Sequence, residues 1–159
     1  MEPDLHSVIM KFFIYICLFL LTGPQLLAGT LHVSRNDQSG KAYRTIKEAV
    51  GAAAAGDTIL IHGNAIYVEQ TITIDKPLFI KGIDWPVLDG ERKHEILAIK
   101  SDDVVIEGLK LQKSGYSSYN DIAAVRIYNS RNVHIRNNIL EETFFGIYSQ
   151  HGTSCVISG

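Results

Sequence analysis

Histidines are the first residues of this chain whose chemistry could define a site, because imidazole binds Cu(II) and Zn(II). Downstream of residue 28 the sequence holds one cysteine, no methionine and five histidines. The histidines are His32, His62, His94, His134 and His151. No two of them lie closer than 17 residues, so there is no local ligand pair. His134 and His151 are the candidate metal ligands if the fold stacks residues about 22 apart. The alternative is that both are polar surface positions.

Paired carboxylates are the second possible source of chemistry. Glycoside hydrolases need two closely placed carboxylates, and calcium-dependent lyases need carboxylates for the ion. Asp102 and Asp103 are adjacent, but they precede an apolar run at a point where a turn favours aspartate for backbone reasons. Glu141 and Glu142 follow such a run, and we expect them to face solvent. We therefore expect no catalytic residues and no enzyme, with a polysaccharide lyase or hydrolase as the alternative.

Aromatic side chains could bind a carbohydrate by stacking without cleaving it. The candidates are Tyr116, Tyr119, Tyr128, Phe144, Phe145 and Tyr148. The alternative is structural: Phe144 and Ile147 would fill the core, while Tyr116 and Tyr119 would anchor a loop.

Composition limits the class of protein. The 159 residues suffice for one domain, and 46% hydrophobic with 20% charged residues is enough to bury a core. The formal net charge of -2 provides no basic surplus, so we expect no nucleic-acid partner.

The first 28 residues resemble a secretory signal peptide. Lys11 precedes an apolar run from Phe12 to Leu21, and Ala28 offers a small-residue cleavage site. Residues 1–28 are therefore predicted to be removed on export to the periplasm, leaving 29–159 as the folded domain. Glu2 and Asp4 are unusual in such a segment, which leaves Met10 as an alternative start.

The remaining sequence predicts one helix followed by many short strands. Residues 41–57 have apolar positions at helical spacing and end in Gly56-Asp57. Later apolar runs, such as 67–74, 104–111 and 133–140, are bounded by Gly, Asn, Asp or Pro.

Internal similarity between these runs chooses the architecture. Segment 127–139 aligns with 99–111 and with 147–159, and the spacing from Ile135 to Ile157 is 22 residues. Longer spacings are explained if 91–94 and 115–121 are loops extruded from their coils. We predict an all-β, right-handed parallel β-helix of about 22 residues per coil, with the 41–57 helix capping its N-terminal end.

The repeat also predicts which residues point inward and where the chain turns. Three pairs should form the central ladder: Val104 with Ile106, Val133 with Ile135, and Cys155 with Ile157. Cys155 is therefore expected in the core rather than as a ligand. Asn137 and Asn138 follow their strand where Gly108 follows its own, at a turn that needs a tight conformation. Because Gly159 comes one residue into such a turn, we expect the chain to be the N-terminal part of a longer β-helix.

Residues 43–90 resemble the N-terminal part of pectin-lyase-like β-helix proteins. The residues that carry this likeness are TIKEAVGAAAAGDTILIHGNAIYVEQTITIDKPLFIKG. Together with PVLDG at 86–90 and DDVVIEGLKLQKSG at 102–115, the chain is most similar to the NosD family of periplasmic copper-processing proteins.

That resemblance implies a function and partners. It implies a non-enzymatic periplasmic protein that helps to mature the copper site of nitrous oxide reductase, beside an ABC-type transporter, with copper as the metal. The alternative is a secreted carbohydrate-binding or carbohydrate-active β-helix protein, and a third possibility is a cell-envelope repeat protein.

Overall fold

The structure, a computed structural model, describes residues 27–159 apart from Asn64 and Ser118. The predicted signal segment 1–28 lies outside the described residues except for its last two positions, so its export role and the alternative start stay predictions. Within the described part, no helix is long and apolar enough to cross a membrane.

The described residues form fourteen short strands and one short helix, α1 (Ile46–Ala52). The strands are β1 (Thr30–Val33), β2 (Thr58–His62), β3 (Ile66–Val68), β4 (Ile72–Ile74), β5 (Phe79–Ile83), β6 (Val87–Asp89), β7 (Leu97–Ile99), β8 (Val105–Glu107), β9 (Lys110–Gln112), β10 (Ala123–Tyr128), β11 (His134–Arg136), β12 (Ile139–Glu141), β13 (Phe145–Gln150) and β14 (Val156–Ser158). They build three sheets, ordered β1-β2-β5-β8-β11-β14 (sheet A), β3-β6-β9-β12 (sheet B) and β4-β7-β10-β13 (sheet C).

From β2 onward, each turn of the chain visits sheets A, B and C in that order, and neighbouring strands pair in parallel. The result is a parallel β-helix of about five turns with about 24 residues per turn. The predicted fold class is confirmed. The turn is slightly longer than the predicted 22 residues because loops around 91–94 and 115–121 leave the coil between strands of sheets B and C.

The predicted ladder is present at the centre of sheet A. The register pairs Ile80 with Ile106, Ile106 with Ile135 and Ile135 with Ile157. Ile80 and Ile106 are fully buried and Ile135 is nearly so, whereas Ile157 in β14 is 59% exposed. The inward positions were therefore predicted correctly. The positions with a described coil on both sides are buried, and Ile157, which has a described coil on one side only, is exposed.

Corners divide the longer apolar runs. Each of 67–74, 104–111 and 133–140 forms two strands rather than one. Gly108 and Asn137 take positive φ values of 73° and 50°, a region that glycine and asparagine tolerate better than other residues. The Asn138 side chain accepts a hydrogen bond from the Leu109 amide at 3.0 Å and donates one to the Ile106 carbonyl at 3.0 Å. The predicted turn residues are confirmed, and they tie one coil to the next.

Close stacking at one corner requires glycine. A Cβ added at Gly82 would lie 2.1 Å from the carbonyl oxygen of Gly108 on the next coil. No side chain fits there unless the backbone of one coil moves away from the other.

Helix α1 covers the first coils, as predicted, but it is shorter than 41–57. The Thr45 hydroxyl caps it by accepting a hydrogen bond from the Glu48 amide, and the Glu48 carboxylate accepts one from the Thr45 amide. The carboxylate of Glu69, on the next coil, accepts from the amides of the first two helical residues. The helix ends because Ala53 adopts an extended conformation, and Gly56, with φ 89°, turns the chain into β2.

Candidate functional site

The two predicted metal ligands lie on different parts of the β-helix. His134 is on β11 of sheet A, where its Nε2 is 2.9 Å from Oδ1 of Asn132. His151 follows the last residue of β13 in sheet C and is exposed. Among residues 27–159, with the two gaps noted above, no group of three or more His, Cys, Asp or Glu is arranged to hold a metal ion. Metal binding by His134 or His151 stays a prediction, and the structure does not bring the two together in one site.

Cys155 occupies the inward position expected from its alignment with Val133. It is half-buried and packs against the hydrophobic core. Its Sγ donates a weak hydrogen bond of 3.5 Å to the Thr153 carbonyl.

The adjacent aspartates are engaged in contacts between coils. Asp102 accepts hydrogen bonds from the Arg131 amide at 2.7 Å and from the Arg131 guanidinium at 3.1 and 3.2 Å. The Arg131 backbone N–H first, and its side chain second, hold the pKa of Asp102 below its ordinary value. Asp103 has a φ of 57° and accepts from the Asn132 side chain at 2.6 Å. These contacts give both aspartates a structural role at a turn.

The two glutamates face solvent, as predicted. Glu141 pairs with Lys110 at 2.9 Å and Glu142 pairs with Arg92, and both glutamate side chains are about half exposed. Both pairs join different coils, so these residues also connect the stack.

Four of the six predicted aromatic candidates form a chain of rings along the later coils. Tyr116 meets Phe144 edge-on with ring centres 4.5 Å apart, Phe144 lies 4.7 Å from Phe145, and Phe145 lies 5.8 Å from Tyr148. Phe144 is 40% exposed, so the expectation that it fills the core is wrong. Ile147 does pack against the core. Tyr119 is 96% exposed, so it does not anchor the loop through its ring.

An arginine connects this chain of rings to sheet C. The guanidinium of Arg126 lies 4.5 Å from the ring centre of Tyr128 and 5.2 Å from that of Tyr148, its register partner on the next coil. Such cation–π contacts are strongest where water is excluded. We call the set formed by Tyr116, Arg126, Tyr128, Phe144, Phe145 and Tyr148 the aromatic–arginine surface.

A largely buried carboxylate lies beneath this surface. Both oxygens of Glu95 accept from the Tyr128 hydroxyl, at 3.1 and 3.2 Å, and one lies 3.9 Å from Nη1 of Arg126. Burial raises the pKa of Glu95, against the opposing effects of Tyr128 and Arg126. Burial and the Glu95 carboxylate raise the pKa of Tyr128. Although Nη2 of Arg126 donates to Gln150 at 2.8 Å, its buried Nε has no hydrogen-bond partner among the described residues.

Sequence reasoning missed Glu95, Arg126 and Gln150 as members of this site. The repeat could have predicted Arg126 and Gln150, because the coil register pairs Arg126 with Tyr148 and Tyr128 with Gln150. Glu95 follows the extruded 91–94 loop, so no regular spacing points to it.

Sequence reasoning also missed a pair of histidines. His32 on β1 and His62 on β2 approach each other on the outer face of sheet A, with Nδ1 of His32 3.0 Å from Nε2 of His62. We call them the histidine pair. Matching the apolar alternation of β1 to that of β2 would have placed them on neighbouring strands. Imidazole nitrogens are donors that suit zinc, copper, iron or nickel.

Comparison with known proteins supports the fold. No protein-family model and no curated protein matches the chain. The chain is similar to the solved structure of pectin methylesterase PemA from Erwinia chrysanthemi, at 20% identity and a TM-score of 0.61, over 81% of this chain and 49% of that one. It is also similar to a pectin methylesterase in complex with hexasaccharide VII, at 19% identity and a TM-score of 0.57 with the same coverage. The chain thus spans about half the length of these solved structures, and the likeness shows that it shares their parallel β-helix fold.

Proposed function

We propose that the protein is a non-enzymatic periplasmic accessory protein for copper-site maturation of nitrous oxide reductase, working with an ABC-type transporter. The observation that carries this proposal is the resemblance of segments 86–90 and 102–115 to NosD proteins, in a chain whose segment 43–90 resembles pectin-lyase-like β-helix proteins. Residues of those segments make contacts between coils. Gly82 and Gly108 meet at a corner, and the Asp57 carboxylate accepts a hydrogen bond from the Gly29 amide. The segments are therefore compatible with a shared scaffold.

The engagement of carboxylates supports the non-enzymatic part of the proposal. Asp89 accepts hydrogen bonds from Gln112 at 2.7 Å and Lys113 at 3.3 Å, and Glu107 pairs with Arg136 at 2.7 Å and Lys81 at 3.2 Å. In each case the partner belongs to a neighbouring coil. A general acid or nucleophile needs a carboxylate that is free to reach substrate, and these are held by the scaffold.

Gene deletion tests this function in a bacterium that carries the gene beside a nitrous oxide reductase gene. We expect the reductase to be exported but to contain little copper, and the gene restored on a plasmid should return the copper content to normal. The copper-to-protein ratio of purified reductase is the measurement. A fully loaded reductase in the deletion strain would contradict the proposal.

A second candidate function is saccharide binding, and the aromatic–arginine surface is the observation that favours it. Exposed rings stack on sugar faces, and an arginine held between two tyrosines could pair with a carboxylate on an acidic sugar. One of the similar structures is a pectin methylesterase bound to a hexasaccharide.

Calorimetry with acidic oligosaccharides tests this second candidate. Tyr148→Ala should weaken binding by about 1 kcal/mol, or roughly fivefold, because it removes one stacking ring. Tyr119→Ala is the matched control, since that ring is 96% exposed and makes none of the ring contacts of this surface. If the parent protein binds no oligosaccharide, the second candidate is wrong. Release of reducing or unsaturated ends would instead show an enzyme.

A further inference from the structure

The two rings of the histidine pair meet edge to edge. Their nitrogens are 3.0 Å apart, their ring centres 5.3 Å apart and their planes 19° apart. The ring centres are 2.3 Å farther apart than the nitrogens (5.3 against 3.0 Å), about the width of one imidazole ring, so both nitrogens lie almost on the line between the centres. One nitrogen therefore donates a nearly linear hydrogen bond to the other, and the N–H bond of the donor and the lone pair of the acceptor share one line.

The pair forms one wall of a shallow depression of about 300 Å³. The opposite wall is the segment 37–42, which Asp37 holds in place. Its carboxylate accepts from the Ser39 hydroxyl at 2.6 Å and from the amides of Ser39, Lys41 and Ala42 at 2.8–2.9 Å. These bonds, the Ser39 hydroxyl first, keep the pKa of Asp37 far below its ordinary value.

The depression is shallow and open to small solutes, and the negative charge of Asp37 is offset by the positive charge of Lys41. Both oxygens of Asp37 are occupied by hydrogen bonds, and Lys41 also lines the depression. The two imidazoles also line the depression and supply nitrogen donors to it.

We propose that the histidine pair binds one monovalent d¹⁰ metal ion, Cu(I) or its analogue Ag(I), in linear two-coordinate geometry. The ion takes the place of the hydrogen between the rings. That hydrogen moves to the outer nitrogen of the donor ring, so both imidazoles stay neutral and no proton is released. Since a metal–imidazole bond is about 2.0 Å long, the nitrogens must separate to about 4 Å, and each ring moves back by about half an ångström.

The number and arrangement of donors favour a monovalent ion over a divalent one. Zn(II) takes four ligands in a tetrahedron and Cu(II) prefers a square arrangement, whereas the pair supplies two donors on one line. The described residues offer no third His, Cys, Asp or Glu to complete such a group. A divalent ion would also lack a free anionic ligand here, because Asp37 is already fully bonded.

This inference deepens the proposed function and rests on it for a biological purpose, because it locates the copper that an accessory protein would handle. Binding itself can be measured without the reductase or the transporter. Failure of the site and failure of the proposed function are therefore distinguishable.

Titration of the full chain under anaerobic conditions tests the site. Cu(I) is presented with bicinchoninate as a competing chromogenic chelator, and Ag(I) serves as a redox-inert probe. We expect one ion per chain, an X-ray absorption spectrum with two nitrogen neighbours, and little displacement by Zn(II). His32→Ala and His62→Ala should each weaken Cu(I) binding by at least about a hundredfold, since one imidazole alone cannot form the linear site.

His94→Ala is the matched control, because His94 lies in the connection between β6 and β7, away from sheet A, and its loss should leave Cu(I) binding unchanged. Thermal unfolding of the metal-free variants, which should match the parent, excludes misfolding as the cause of a loss. A parent protein that binds no Cu(I), or equal binding by the parent and both pair variants, would overturn the inference. If the site fails while the deletion strain still makes copper-poor reductase, the proposed function survives without it.

Discussion

The histidine pair and the aromatic–arginine surface are built by the same device but differ in character. Each joins residues from neighbouring coils: His32 and His62 are 30 residues apart, and Arg126 and Tyr148 are 22 apart. The pair lies beside a small, shallow depression. In the surface, Arg126 lies between two tyrosine rings, and its partner Glu95 lies beneath them, with 16% and 11% of the two side chains exposed.

This difference shows what a stack of short strands can and cannot do. Strands of three to six residues are too short to hold a site alone, so each side chain depends on the coil above or below it. The side chains that the neighbouring coils contribute then determine which ligand the site can bind. Two small neutral rings suit a single ion, whereas several large rings with a charged pair suit a larger molecule.

The largest expected effect comes from disturbing the stack that both sites share. Gly82→Ala places a Cβ against the Gly108 carbonyl, and we expect it to lower the free energy of unfolding by about 3 kcal/mol or more, since backbone cannot move aside cheaply. Gly51→Ala is the control, because a Cβ there meets nothing within 4 Å and alanine favours a helix by up to about 1 kcal/mol. Denaturant unfolding measures both. Equal stability of Gly82→Ala and the parent would show that the coils do not need this close approach.

The fold could be predicted from sequence because ladder residues repeat along the chain. Ile80, Ile106, Ile135 and Ile157 align in register although loops of different length separate them. Asn137 was recognised because only a few residue types tolerate positive φ.

The sites were harder to predict, for physical reasons tied to particular residues. His32 precedes the helix, so its strand is separated from β2 by a segment without strand periodicity. Glu95 follows an extruded loop. Phe144 has an apolar side chain of the type that usually fills a core, but its ring packs on Tyr116 outside the coil. Repeats reveal which residues stack, but side chains beside loops depend on loop conformations that no spacing encodes.

A smaller loss of stability is expected from removing a charge, and it should be larger for the largely buried Arg126 of sheet C than for the more exposed Arg136 of sheet A. Arg126→Met leaves Glu95 buried without its cation, so we expect a loss of about 1–3 kcal/mol in the free energy of unfolding at neutral pH. The loss should be smaller at acidic pH, where Glu95 can be protonated. Arg136→Met is the matched control, and it should cost less than about 1 kcal/mol because Arg136 is 45% exposed. Similar losses for the two variants would mean that burial does not distinguish them.

The same comparison predicts opposite pH dependences for two carboxylates. Because burial raises the pKa of Glu95, the folded chain holds its proton more tightly than the unfolded chain, and its contribution to stability falls as pH rises through that range. Asp102 behaves in the opposite way, since hydrogen bonds from Arg131 lower its pKa and its stabilising contribution is lost as pH falls.

Glu95→Gln should therefore remove a decline in stability with rising pH, and Asp102→Asn a decline with falling pH. The measurement is the free energy of unfolding between about pH 3 and pH 7. A change of slope in the same direction for both variants would contradict the assignment.

The smallest effect concerns the response of the two sheets to salt. On sheet A, Glu107 lies between Lys81 and Arg136, whose side chains are nearly half exposed. Burial tends to raise the pKa of Glu107, but hydrogen bonds from Arg136 and Lys81 outweigh it and leave the pKa lowered. Glu107→Gln should cost about 0.5–1 kcal/mol at low ionic strength, and the cost should shrink at about 1 M salt, where the screening length is only about 3 Å. The cost of Arg126→Met should change little with salt, because its partner Glu95 is only 11% exposed and is hydrogen-bonded by Tyr128. Denaturant unfolding of both variants at low and high salt measures the difference. If the cost of Glu107→Gln does not change with salt, the outer face of sheet A is stabilised by packing rather than by charge.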